Sequence, residues 1–120
     1  MREQVLERLV RYCKVNTRSD EKSNSVPSTE RQFDLAKILV EECKTIGLTD
    51  VMMDHQAIVT ATLPSNIDYE VPTIGFIAHM DTADYNSENV KPRIIENYDG
   101  EDIVLNKEKG IITKVNDFQS

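Results

Sequence analysis

Apolar residues recur at helical spacing twice near the start of the chain and then give way to a strand-like rhythm. Val5, Leu6, Leu9, Val10 and Cys13 fall on one side of a helical projection, with Arg2, Glu3, Glu7, Arg8 and Arg11 on the other, which predicts an amphipathic helix over residues 2–14. Residues 16–28 are polar and rich in serine, with Pro27 near the end, and read as a surface loop. A second helix is expected to open on Thr29, whose spacing to Gln32 makes a capping box, with Glu30 in the first turn. It would bury Phe33, Ala36, Val40 and Cys43, flanked by Leu39 and Ile46, and stop where Gly47 supplies a left-handed residue.

Past Gly47 the period shortens. Residues 48–54 and 57–63 read as two strands joined by a tight turn at His55-Gln56, the second rich in β-branched side chains. A polar loop over 64–72 leads into Thr73-Ile74-Gly75-Phe76-Ile77-Ala78, a nearly all-apolar run of the kind buried on both faces of a sheet. Residues 83–89 form a long polar loop and 91–95 a short extended piece. Asp99-Gly100 marks a turn, and Ile103-Val104-Leu105 and Ile111-Ile112 supply further strands. The pattern predicts an α/β fold, with helices packed on a mixed sheet in one domain covering residues 1–120.

Composition narrows the function. With 14 basic and 21 acidic residues and a formal charge of −7, the chain is suited neither to nucleic acid nor to an anionic membrane surface. No apolar leader or membrane-length run is present at the start, so a cytoplasmic protein is expected. Cys13 and Cys43 lie on apolar stripes outside any CxxC pair and read as buried thiols.

Candidate chemistry sits where the apolar run stops, at His79-Met80-Asp81. Ligands in α/β sheets gather beyond the carboxyl ends of strands, and a metal-binding imidazole usually donates its second ring nitrogen to a carboxylate such as Asp81. A histidine after a strand is as readily a hydrogen-bonded structural residue, and His-x-Asp spacing does not separate the two. His55, in a hairpin turn with no acidic or cysteine partner at ligand spacing, reads as a solvated residue. A catalytic zinc needs about three protein ligands, and this sequence has two histidines and no H-E-x-x-H. Either the metal reading fails or further ligands lie on chain beyond Ser120.

Ala78-His79-Met80-Asp81-Thr82-Ala83 resembles the first metal-binding motif of the M20 family of zinc metallopeptidases. Ser28-Thr29-Glu30-Arg31-Gln32 after Pro27, Ala61-Thr62-Leu63-Pro64-Ser65-Asn66, Gly75-Phe76-Ile77-Ala78, Asn89-Val90-Lys91-Pro92 and Glu96-Asn97-Tyr98-Asp99-Gly100 are similar to the tripeptide aminopeptidases of that family. The hairpin turn His55-Gln56-Ala57 departs from the Asn-Gly frequent there. The resemblance implies that residues 1–120 are the first part of a catalytic domain interrupted by a smaller one. It implies two zinc ions per complete subunit, with His79 a ligand and Asp81 the active-site aspartate supporting it. The other ligands and a general-base glutamate would follow Ser120. Substrates would be tripeptides losing their N-terminal residue, and the partner a second copy of the chain. Alone, residues 1–120 would be inactive and would not retain zinc. Two other readings stay open: an M20 deacylase of N-acyl amino acids, and a non-catalytic α/β module.

Overall fold

The computed structural model describes residues 1–118. The first helix, α1, runs Arg2–Tyr12, and the second, α2, runs Gln32–Thr45. Four strands follow: β1 Thr49–Met53, β2 Val59–Thr62, β3 Ile103–Asn106 and β4 Ile111–Thr113. A 3-10 turn over Val115–Phe118 completes the described residues.

Helix α2 ends as its glycine predicts. Gly47 takes φ +88°, its N–H donates to the Lys44 carbonyl at 3.1 Å, and the Leu48 N–H reaches the Cys43 carbonyl at 3.0 Å. Those two bonds satisfy carbonyls that a helix end otherwise leaves open. The start differs from the expected capping box. No side chain caps α2, whose first position follows Arg31. Thr29 Oγ1 instead donates to the Arg18 carbonyl at 2.8 Å, and Gln32 Nε2 donates to Ser28 Oγ at 3.1 Å. The threonine fastens the preceding loop rather than the helix.

Strands β1 and β2 pair antiparallel and pack beneath α2. Pairing of Thr49 with Thr62 and of Met52 with Thr60 leaves one extra residue in β1, a bulge that contains Asp50 at φ +50°. The turn is wider than the expected two residues. The Asp54 carboxylate accepts from the N–H of Gln56 at 2.9 Å and of Ile58 at 2.8 Å, closing a five-residue loop over 54–58. Strands β3 and β4, expected as strands but not as partners, form a second antiparallel pair.

The α/β class holds, with two separate antiparallel pairs where one mixed sheet was expected. The strand that would join them is missing from both. Residues 73–78 carry no regular structure and pair with no strand among the described residues, and Ile74 and Phe76 are 76% and 95% exposed. A strand exists only through hydrogen bonds to a neighbour, and among the described residues this segment forms no ladder with another.

The small core consists of Leu35, Ala36 and Ala57, joined by buried Thr17 and Gln32. Helix α1 is fastened to α2 by charge. Arg8 and Arg11 both donate to the Glu42 carboxylate, Arg11 at 2.6 Å, and Tyr12 Oη donates to it at 2.5 Å. Burial alone would raise the Glu42 pKa, but the donated bonds from Tyr12, Arg8 and Arg11 outweigh it and hold the carboxyl down at about 2. Tyr12, desolvated and bonded to that carboxylate, is pushed up to about 12. The apolar face of α1 is only partly covered, with Val5 and Leu9 exposed. Hence the expected burial of the cysteines is corrected: Cys13 is exposed and Cys43 half-buried.

Candidate functional site

After the extended apolar segment the chain meets the loop that follows α1. Thr82 and Arg18 form a parallel bridge: the Thr82 N–H donates to the Thr17 carbonyl at 3.1 Å, and the Ser19 N–H donates to the Thr82 carbonyl at 2.9 Å. Thr17, 2% exposed, anchors this junction beside the core. Arg18 Nε then donates to Asp84 Oδ1 at 2.6 Å, and the Arg18 guanidinium holds the Asp84 carboxyl below its ordinary range. Bonds from Thr29 Oγ1 to the Arg18 carbonyl and from the Asp20 N–H to Ser28 Oγ tie the far side of the loop.

The junction brings three side chains into line. Ser19 Oγ donates to Asp81 Oδ2 at 2.6 Å. His79 Nδ1 lies 3.1 Å from Asp81 Oδ1 and 2.9 Å from the Asp81 carbonyl oxygen. Both of these oxygens only accept, so Nδ1 carries the hydrogen and Nε2 of the neutral ring keeps its lone pair. The Ser19 hydrogen bond is the largest influence on Asp81; burial opposes it, the His79 contact adds to it, and the carboxyl pKa falls below the usual value. Asp81 is therefore an anion near neutrality. The His79 side chain is 84% exposed, leaving Nε2 accessible.

Beside these residues lies a cleft of about 510 Å³ with largely apolar walls, lined in part by Tyr12, Leu35, Leu39, His79, Asp81 and Val90. His79 and Asp81 thus meet as their spacing suggested. His55 stays exposed in the hairpin turn. Among the described residues no three histidine, cysteine or acidic side chains group closely enough to hold a metal. Ser19 and the Arg18–Asp84 pair escaped the sequence reading, because Ser19 stands 62 residues from Asp81 in a loop whose serines look like ordinary surface polarity.

No family model matches the chain. Individual relatives do. The chain is 55% identical over 112 residues to a protein named Peptidase T from Fusobacterium nucleatum, a match covering 93% of this chain and 27% of that protein. It is 56% identical over 119 residues to Peptidase T of Geobacillus kaustophilus, covering 98% of this chain and 29% of that protein. Peptidase T of Clostridium botulinum is 60% identical over 115 residues, 95% of this chain and 28% of that protein. The resemblance read from the residues therefore holds: along nearly its whole length the chain is similar to peptidase T, and it spans between a quarter and a third of the curated relatives it matches.

Proposed function

We propose that this chain is the first part of the catalytic domain of an M20-family zinc aminopeptidase, a cytoplasmic homodimer that releases the N-terminal residue from tripeptides. The observation that carries the reading is identity of 55–60% to proteins named Peptidase T over 93–98% of the chain. The His79–Asp81 pair supports the metal part of it.

The donors present fit one ligand position for zinc. An imidazole with Nδ1–H bonded to a carboxylate and Nε2 exposed is the arrangement that a zinc-binding histidine takes. One such donor does not hold a metal, and the described residues group no further ones around it. In the complete enzyme, His79 would hold the zinc through Nε2, with Asp81 fixing its ring and favouring the Nδ1–H tautomer. The remaining ligands and the general base come from chain beyond Ser120. Bound zinc supplies Lewis acidity toward the scissile carbonyl. The cleft beside His79 leaves a short peptide an apolar wall to rest on.

The test is a competition of substrates on the complete, zinc-loaded protein. Tripeptides with a free amino terminus should be cleaved to a free amino acid and a dipeptide, while N-acyl amino acids should not turn over. Hydrolysis of the acylated substrates alone would replace the reading with an M20 deacylase. Turnover of neither, together with no zinc uptake, would leave a non-catalytic module.

A further inference from the structure

Asp81 has two carboxylate oxygens, and the fold gives each a different partner. Oδ1 faces His79 Nδ1, and Oδ2 accepts the Ser19 hydroxyl at 2.6 Å. The terminal torsion of an aspartate is broad, so the plane of its carboxylate is set by the partners of its two oxygens. The stretch that carries the Ser19 hydroxyl is itself held on either side, because its N–H is bonded to the Thr82 carbonyl, the preceding residue is clamped through Asp84 and Thr29, and the following Asp20 N–H donates to Ser28 Oγ. The serine thus sits on a stretch with four independent ties, and the carboxylate leans on it.

We propose that Ser19 is a positioning residue for the His79 ligand, acting through Asp81. Its hydroxyl fixes the plane of the Asp81 carboxylate, so that Oδ1 stays on the His79 Nδ1–H and, in the neutral ring, the lone pair stays on the exposed Nε2. The line Ser19–Asp81–His79 extends the support of the imidazole one residue beyond the carboxylate. It links the loop after α1 to the metal position. This inference rests on the zinc reading above, and its test reads the ring directly, with metal affinity as a second measure.

The experiment uses the complete protein with histidine labelled by 15N, in the Ser19→Thr and Ser19→Val variants, which differ in a hydroxyl and almost nothing in shape. In the metal-free protein the His79 ring, assigned by the signal lost in His79→Gln, should show the Nδ1–H tautomer in the wild type and in Ser19→Thr. Ser19→Val, which leaves the Asp81 carbonyl at 2.9 Å as the one fixed acceptor for Nδ1–H, should show a measurable added fraction of the Nε2–H tautomer. Zinc affinity, measured by competition with a chelator, should fall by about tenfold in Ser19→Val and stay within about twofold of the wild type in Ser19→Thr. Equal tautomer populations and equal affinities in the two variants would overturn the assignment. If His79→Gln itself leaves zinc affinity unchanged, the metal reading falls, while the tautomer comparison still decides whether Ser19 orients the pair. A general loss of structure would depress both variants alike and count against a role specific to the hydroxyl.

Discussion

At the scale of single residues, the site separates groups by the distance over which a sequence can report them. His79 and Asp81 are two positions apart, so the turn that brings ring and carboxylate together is written into their spacing. Ser19 approaches them through a bridge between distant segments, which no local pattern encodes. The consequences of substitution differ in kind. His79→Ala removes an exposed ring with little burial, so stability should move by only about 1 kcal/mol while peptidase activity of the complete enzyme is lost. Asp81→Asn keeps an oxygen for the Nδ1–H but removes the charge, and should lower zinc affinity or turnover by roughly 10- to 100-fold. Kinetics and metal content of the two purified variants check this; full turnover in His79→Ala would remove the residue from the site.

Among the elements, local signals proved reliable where the stabilising partners are also local. Both helices, the first hairpin and the strand segments at 103 and 111 form close to where the sequence placed them, since their hydrogen bonds connect near neighbours. The run Ile74-Gly75-Phe76-Ile77 had the composition of a strand without the company of one. Two elements yield quantitative expectations. Gly47 closes α2 at φ +88° with open space where a Cβ would stand, so Gly47→Ala carries a purely conformational penalty of about 1 kcal/mol. Thermal unfolding should show a correspondingly lower midpoint, and an unchanged midpoint would mean that the helix end rearranges. The Glu42 cluster sets the acid response of the α1–α2 contact. Its carboxyl falls from 4.5 to about 2 in the folded chain, a depressed carboxylate pKa. The stability it contributes is therefore fully present above pH 4.5 and lost as pH drops toward 2. With half-exposed arginine partners screening the pair, the contribution is on the order of 1–2 kcal/mol. Glu42→Gln should flatten that acid limb in a pH series of denaturant melts.

For the molecule as a whole, the described chain is open. Its radius of gyration is 18.1 Å, against about 13.5 Å for a compact domain of this length. Its accessible surface is 10520 Å², where a compact chain of this mass exposes roughly 6,600 Å². Exposed apolar side chains include Ile74, Phe76 and Ile77 in the unpaired segment and Val5 and Leu9 on α1. Expressed alone, residues 1–120 should self-associate through that segment with more than ~1,000 Å² buried in total, visible by light scattering at micromolar concentration. A strictly monomeric chain would show that water tolerates the uncovered segment. The bridge between Arg18 and Thr82 also has a meaning in time. Bringing together positions some 64 residues apart costs about 4 kcal/mol of loop entropy, while the two main-chain hydrogen bonds return only about 1 kcal/mol each. The helices and hairpins, whose contacts are local, close on the microsecond scale. On loop entropy alone the corner that carries Ser19, Asp81 and His79 should close after them, an order that hydrogen exchange at the Ser19 and Thr82 amides would report.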